Sequence, residues 1–344
     1  MFRRRGRVPV LAMVIGLLAL TAAGCGDDSD EGGGAAAATD DCDGYPSKDI
    51  EFIIPTDPGG GFDTWARLLA PTMEKTLPNE PNVLPINRPG AGTLAGTQEV
   101  YAARPDGYRI VINDPSQVSL AQVTGETDMD LAKLTGVARV ATSPELIVTG
   151  ADSEYETIED LVAADVRMAT AGLGASNVVA MEKAGLAVPF EFNVHDGSGE
   201  AVLSVVRGDT DYAMFPVTSV LDSVQSGDLR ALLLIGDKPT GEEPGAEELA
   251  DVPTMDETVE PGLGEVLQQH RIVMAPPETP ECVVEILSTA ITESLADPEL
   301  LAQAEEAGLI PAAADAAEAQ ALLDQNLETY TAESEVLQQQ LESQ

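Results

Sequence analysis

Histidine, cysteine and basic residues are scarce in this chain of 344 residues. It has two His and three Cys, and its 18 Lys and Arg face 59 Asp and Glu, which gives a formal net charge of −41. So few His and Cys exclude most zinc sites and most His-based acid–base chemistry. An acidic surface repels nucleic acid and anionic lipid, and aromatic residues are only 4% of the chain, too few to stack bases. We therefore expect no metal, no cofactor and no nucleic-acid partner.

The N-terminal apolar run is too short for a membrane span. Val8 to Ala22 is 15 residues long, whereas a spanning helix needs about 20. The run follows a cluster of arginines and leads to small residues before Cys25, a pattern typical of a bacterial lipoprotein signal. Residues 1–24 are then a signal peptide, Cys25 is the lipidated first residue, and residues 25–44 form a flexible acidic tether rich in Gly and Ala. A plain secretory signal with an incidental Cys is the alternative.

Two cysteines remain after Cys25, namely Cys42 and Cys282. An exported protein meets an oxidising compartment, where an even number of cysteines favours a disulfide. We expect one bond between Cys42 and Cys282. Two buried free thiols are the alternative, because the sequence does not give the distance between them.

Strands alternate with helices along the rest of the chain. The length exceeds one ordinary core, and hydrophobic residues at 44% can fill two, so we expect two lobes. Apolar, β-branched runs separated by helical patterns predict a βαβαβ unit with parallel strands at 49–55, 83–86 and 108–112. The alternation returns with strands near 146–149, 166–171, 190–194, 212–215 and 231–235.

The C-terminal third carries fewer strand signals. Residues 237–264 are rich in Gly, Pro and Glu and are expected to form a loop. A strand at 271–275 follows, then helices starting at Pro280 and at Asp297. A single long polar helix is predicted over about 318–341.

A glycine turn between a strand and a helix occurs four times, at 58–61, 90–92, 172–174 and 197–199. In α/β sheets, ligands bind beyond the carboxyl ends of the strands. Glycine lets backbone N–H groups approach a ligand, and the following helix adds partial positive charge at its N-terminus. Several such turns from two lobes predict an anion-binding cleft that needs no Arg. For any single turn, a tight backbone without a ligand is the alternative.

Motifs of common enzyme sites are missing. The chain has no Walker A, GxSxG or HExxH motif, and the glycines from Gly90 to Gly96 have the spacing GxGxxxG instead of the dinucleotide GxGxxG. His195 follows a predicted strand, but a lone His is more often a packed or surface residue. Asp63 either caps its helix or contacts a ligand, and both interpretations stay open.

Motifs that follow one another in a fixed order carry a family resemblance. In the first half they are YPxKxI at 45–50, IPxxPGGxxDxxAR at 54–67, NRPGAG at 87–92 and PDGY at 105–108. In the second half they are GxGxS at 172–176, GSG at 197–199, GxLRAL at 227–232, VPT at 252–254 and APPxTP at 275–280. The set resembles the substrate-binding receptors of tripartite tricarboxylate transporters, the Bug receptors, over nearly the whole body of the chain.

The resemblance implies a two-lobed type II periplasmic-binding fold, each lobe a mostly parallel sheet flanked by helices. Lobe 1 would comprise residues 45–145 and 272–344, and lobe 2 residues 146–271, with hinge strands near 145–148 and 271–275. Ligand contacts, largely through main chain and water, would come from three loops: Pro58, Gly59, Gly60 and Asp63; Gly172, Gly174, Ser176 and Asn177; and, more weakly, Gly197, Ser198 and Gly199. Two departures, Val178 where the family usually has His and Pro71 inside the first helix, bear on the ligand's identity and not on the fold.

The residues and the resemblance agree on a receptor that is not an enzyme. We expect an extracytoplasmic lipoprotein, a monomer held at the outer face of the cell membrane by its lipid. It would trap a small carboxylate by lobe closure and deliver it to the two membrane permease subunits of a tripartite transporter. A binding protein that serves a membrane histidine kinase is the alternative within this class. An exported carboxylate-processing enzyme is the alternative outside it.

Overall fold

The computed structural model of the protein describes residue 42 and residues 44–171, 174–187, 190–195, 197–241 and 244–343. Its strands are, in chain order, β1 (Ile50–Ile54), β2 (Val83–Asn87), β3 (Arg109–Asn113), β4 (Thr135–Ser143), β5 (Glu145–Gly150), β6 (Arg167–Thr170), β7 (Glu191–Val194), β8 (Tyr212–Pro216), β9 (Leu229–Ile235), β10 (Gln269–Ala275) and β11 (Pro311–Ala314). These strands form two sheets, as two lobes require.

Helices flank both sheets. They are α1 (Gly61–Thr76), α2 (Leu94–Tyr101), α3 (Pro115–Val123), α4 (Ile158–Val162), α5 (Ala175–Lys183), α6 (Ser198–Val206), α7 (Val217–Gln225), α8 (Met255–Thr258), α9 (Leu263–Leu267), α10 (Glu281–Leu295), α11 (Pro298–Glu306), α12 (Ala316–Ala332) and α13 (Ser334–Glu342). Short 3₁₀ turns cover Ala91–Thr93 and Leu131–Lys133. Among the helices described, none is both long and apolar enough to cross a bilayer.

The first sheet has the strand order β11-β4-β10-β3-β1-β2, and the second has β7-β6-β8-β5-β9. The predicted βαβαβ unit is confirmed, because β1 pairs in parallel with both β2 and β3. Side chains on both faces of β1 are buried, with Phe52 in one core cluster and Ile53 in another. A strand covered by helices on both faces needs such a continuous apolar run.

The α/β fold with two sheets is confirmed, but each sheet mixes parallel and antiparallel pairs. In the first sheet β10 runs antiparallel to β3 and β4, and β11 runs antiparallel to β4. In the second sheet β5 runs antiparallel to β8 and β9, whereas β6 pairs in parallel with β7 and β8. The chain leaves the first sheet at the end of β4 and returns to it at the start of β10, and it enters the second sheet at β5 and leaves that sheet after β9. A strand that starts where its neighbour ends runs in the opposite direction, so β10 is antiparallel to β4 and β9 is antiparallel to β5.

Some elements differ from the sequence prediction. The expected loop at 237–264 contains α8 and α9, and α8 begins with a capping box in which Thr254 and Glu257 bond to each other's backbone N–H. The expected single helix over 318–341 is two helices that meet at Glu333, whose φ of −99° and ψ of 14° are not helical. A proline inside a helix lacks the N–H for one backbone hydrogen bond, but α1 continues through the exposed Pro71 as far as Thr76.

Large apolar side chains fill a core on each sheet. On the first sheet, Trp65, Leu69 and Met73 recur at helical spacing along α1 and join Leu287 and Ile291 of α10. The C-terminal helix α13 contributes Leu337 to the core of the second sheet. The predicted lobe boundaries, 45–145 with 272–344 and 146–271, stay a prediction.

Cys42 and Cys282 are joined by a disulfide with a Cα–Cα distance of 6.2 Å. Nearby, the Tyr45 hydroxyl donates a hydrogen bond of 2.8 Å to the carbonyl of Gly107. The disulfide thus fastens the end of the predicted tether, at Cys42, to α10, and Tyr45 fastens the chain that follows to the loop before β3.

Candidate functional site

Two sheet edges face each other across the point where the chain first passes between the sheets. Strands β1 and β3 end at one edge of the first sheet, where β10, antiparallel to β3, begins. Strands β6 and β8 end at one edge of the second sheet, where β5 begins with Glu145. Only Pro144 separates β4 in the first sheet from β5 in the second. The carboxyl-end loops of both sheets therefore border one cleft, as the glycine turns predict.

The first loop is held in shape by Asp63. The Asp63 carboxylate accepts hydrogen bonds of 2.9 Å from the Gly59 N–H, from Arg67 Nε and from Asn87 Nδ2. The hydrogen bond from Arg67 is the main cause that lowers the pKa of Asp63 to about 2, so this buried carboxylate stays charged. With these donors in place Asp63 positions the loop, while Pro58, Gly59 and Gly60 are exposed at its tip. A direct ligand contact by Asp63 stays a prediction.

The second loop is tied to the start of β5. The Gly174 N–H donates to Asn177 Oδ1 at 2.9 Å, and Asn177 Nδ2 donates to Glu145 Oε2 at 2.5 Å. Ser176 is buried in the first turn of α5, beside the also buried Val178. Gly174, Ser176 and Asn177 thus lie together at the cleft edge of the second sheet.

The remaining predicted site residues and glycine turns fall into three sets. Gly197, Ser198 and Gly199 begin α6, and a Cβ placed on either glycine meets no atom within 4 Å, so open space surrounds them. Gly172 and Cys25 lie outside the described residues. The turn at 90–92 follows β2, the edge strand of the first sheet, and has φ values of 139° at Gly90 and 60° at Gly92, which suit glycine. The roles of these loops in binding stay predictions.

The sequence did not predict three charged residues that the fold brings to the cleft: Asp114, Glu145 and Arg271. Asp114 caps α3 by accepting from the Ser116 N–H at 2.9 Å. Asp114 and Glu145 are 6% and 1% exposed, so neither carboxylate has bulk water to stabilise its charge. The Asp-Pro dipeptide at 114–115 is a helix-start signal that could have located Asp114. Nothing local marks Glu145 or Arg271.

Burial governs the protonation of both acids. Burial, reinforced by the negative charge of Asp114, raises the pKa of Glu145 from 4.5 to about 8. Burial also raises the pKa of Asp114, against hydrogen bonds from Ser116 and the positive charge of Arg271. A largely protonated Glu145 at neutral pH makes the second loop less negative, which suits an anionic ligand.

The stability of the protein should therefore fall as the pH rises through the titration of Glu145. Folding raises this pKa, so the contribution of Glu145 is complete below about pH 4.5 and is lost as the pH rises through about 8. We expect Glu145→Gln, which keeps a neutral side chain, to gain up to about 3 kcal/mol relative to wild type between pH 5 and pH 9. Urea titrations at the two pH values measure this. Glu285→Gln, at an exposed position of α10, is the control, and an identical pH dependence in all three proteins would contradict the assignment.

A cavity of about 570 Å³ opens beside the passage between the sheets. Its walls include Thr142 and Ser143 at the end of β4, Thr218 of α7, Lys238, and Arg271 of β10. The volume lies within the range of about 300 to 1,000 Å³ that is usual for small-molecule sites. Among the described residues, no group of three or more His, Cys, Asp or Glu side chains is arranged to hold a metal ion.

Two lobes with a polar cleft between their sheet edges define a solute-binding protein of the periplasmic-binding class. Residues 65–338 match the tripartite tricarboxylate transporter family receptor. The chain is 30% identical to the protein BugT of Bordetella pertussis over 264 residues. This aligned region covers 74% of this chain and 78% of BugT. This chain therefore belongs to the tripartite tricarboxylate transporter receptor family.

Solved structures show the same fold. A TctC solute-binding protein from Polaromonas superposes with a TM-score of 0.70 at 22% identity, covering 84% of this chain and 98% of that one. MatC of Rhodopseudomonas palustris, solved with bound malate, superposes with a TM-score of 0.58 at 22% identity, covering 85% and 99%. Members of this class are extracytoplasmic solute-binding receptors, and the predicted family and two-lobed fold are confirmed.

Proposed function

We propose that this protein captures a small di- or tricarboxylate, or a related organic acid, in the cleft between its lobes. The observation that carries the proposal is a pair of loops at the carboxyl ends of strands in the two sheets, 58–61 and 174–177, each of which forms the start of a helix. Backbone N–H groups and the partial positive charge of a helix N-terminus favour a carboxylate. The malate bound to the related MatC structure supports the same ligand class.

We further propose that closure around the acid presents the receptor to the two membrane permease subunits of a tripartite tricarboxylate transporter. In this proposal the receptor is a monomer, it has no catalytic activity, and a lipid on Cys25 anchors it to the outer face of the cell membrane. The N-terminal sequence pattern and the family support this arrangement. Mass spectrometry of the protein from its native membrane tests the lipid, since the N-terminal peptide should begin at an acylated Cys25.

A thermal-shift screen of carboxylates on the mature protein tests the binding proposal. A ligand that binds only the folded state raises the melting temperature, by an amount that grows with ligand concentration. At least one di- or tricarboxylate should stabilise the protein, and neutral sugars of similar size should not. A screen in which no carboxylate shifts the melting temperature would contradict the proposed function.

Binding should survive removal of metals, and salt should affect it less than the formal net charge of −41 suggests. At ionic strengths near 0.15 M the Debye length is about 8 Å, so the acidic surface repels an approaching acid only weakly. Donors within hydrogen-bond reach in the cleft are screened far less. We expect higher salt to speed association and to change dissociation little, as stopped-flow titrations with and without EDTA can measure. Loss of binding in EDTA would reveal a bridging cation, and slower association in salt would reveal steering by a basic patch.

A further inference from the structure

Arg271, at the edge of the cleft, lies over an aromatic ring but has no anionic partner within the described part of the chain. Its buried Nε has no hydrogen-bond acceptor, and its guanidinium forms no ion pair within the part of the chain that the structure describes. By contrast, Arg67, Arg109 and Arg139 are each paired with a carboxylate. Arg271 is half-buried, and a half-buried guanidinium that has no carboxylate beside it loses part of its hydration without compensation. A bound anion would supply that compensation.

The guanidinium lies directly against the first loop. A Cβ added to Gly61 would be 2.9 Å from Arg271 Nη2 and 3.3 Å from its Nε, so the third glycine of the loop makes room for this side chain. The guanidinium carbon is 5.6 Å from the centroid of the Phe62 ring, at the start of α1. One end of Arg271 is thus beside the loop whose N–H groups are proposed to hold a carboxylate.

The same side chain lines the cavity of about 570 Å³. The other cation in that wall, Lys238, is already engaged, since its Nζ lies 3.1 Å from the Ala250 carbonyl and 3.3 Å from Glu257 Oε2. Asp114, the acid whose charge acts most on Arg271, is engaged in capping α3 and is beyond ion-pair distance. Among the described residues of the cavity wall, Arg271 is therefore the cation that has no hydrogen-bond acceptor.

We propose that Arg271 binds one carboxylate of the ligand while the N–H groups of the first loop bind another, so that the receptor prefers dicarboxylates to monocarboxylates of the same length. This inference rests on the proposed function. A planar guanidinium can donate two parallel hydrogen bonds to a carboxylate, a geometry that lysine does not offer. A site that leaves such a donor pair unsatisfied rejects the analogue that lacks the second carboxylate.

Calorimetric titration of matched acids tests the proposal. The probes are adipate with hexanoate and succinate with butyrate, each pair having the same number of carbons, and the protein is the mature chain. Wild type should bind at least one diacid more tightly than its monoacid. Arg271→Gln should weaken diacid binding about 100-fold, the loss of two charge-assisted hydrogen bonds, and change monoacid binding less than about threefold.

Two further variants separate the charge from its position. Arg207→Gln removes the same charge from an exposed residue and should leave every affinity unchanged. Gly61→Ala keeps the charge but displaces the guanidinium, because the new Cβ would lie 2.9 Å from Arg271 Nη2. It should therefore weaken diacid binding and leave monoacid binding nearly unchanged. If Arg271→Gln does not fold, Gly61→Ala tests the same proposal.

Unchanged diacid affinity in Arg271→Gln would overturn the assignment. Equal losses for diacid and monoacid would also overturn it, because Arg271 would then act only by shaping the first loop. If wild type binds no carboxylate in this set or in the wider screen, the proposed function itself fails. If wild type binds diacids and Arg271→Gln binds them equally well, only the role of Arg271 fails.

Discussion

Replacing Gly60 with valine is expected to abolish carboxylate binding while the protein still folds. Gly60 has a φ of −83°, which any residue can adopt, and a Cβ there meets no atom within 4 Å. The new side chain would therefore project into the space that the ligand needs, at little cost to the fold. Loss of the backbone hydrogen bonds to a charged carboxylate should lower affinity by at least about 100-fold.

Gly60 gives a cleaner test than the equivalent glycine of the second loop. A Cβ on Gly174 would lie 3.0 Å from Asn177 Oδ1, so valine there should abolish binding but would also disturb that hydrogen bond. Gly60→Ala should give an intermediate affinity. Ala164→Val, at an exposed position after α4, is the matched control. Normal affinity in both Gly60→Val and Gly174→Val would remove these loops from the site.

Removing the Cys42–Cys282 disulfide should lower the free energy of unfolding more than any of the other proposed substitutions. The bond spans 240 residues between Cys42 and Cys282. For a loop of that length the chain-entropy model gives about 5 kcal/mol at most, or a melting temperature lower by roughly 5 to 10 °C. Calorimetry of the Cys42→Ser/Cys282→Ser double variant measures the effect.

The reducing agent supplies the control. The melting temperature of wild type should fall to that of the double variant in reductant, and the double variant should not respond to it. Mass spectrometry after alkylation should find neither cysteine modified in the unreduced mature protein. Two alkylated cysteines would mean that the bond does not form in solution.

Local patterns were sufficient to predict most elements of the fold. The buried run at 50–54 and the spacing of Trp65, Leu69 and Met73 identify β1 and α1 because burial imposes those periods. The glycine turns identify the carboxyl ends of strands, so the loops at the cleft were also predictable. The capping box at Thr254 was present in the sequence as a helix-start pattern, and α8 could have been found from it.

The missed features depend on contacts between distant parts of the chain. Pairing direction in the sheets follows from how β4, β5 and β10 pass between them, which no single segment encodes. The pKa of Glu145 is raised by its burial and, in addition, by the charge of Asp114, a residue of the other sheet's edge. No local pattern identifies Arg271 either, because its position beside Gly61 and in a cavity wall built from six separate segments follows only from the fold.

A crystal structure of the mature protein with the dicarboxylate that binds most tightly is the most direct test of the central claim. We predict a carboxylate within hydrogen-bond distance of the backbone N–H groups at Gly60 and Gly61 and of the loop at 174–177, between closed lobes. A ligand bound on any surface outside the cleft, or bound in the cleft without contact to either loop, would contradict it.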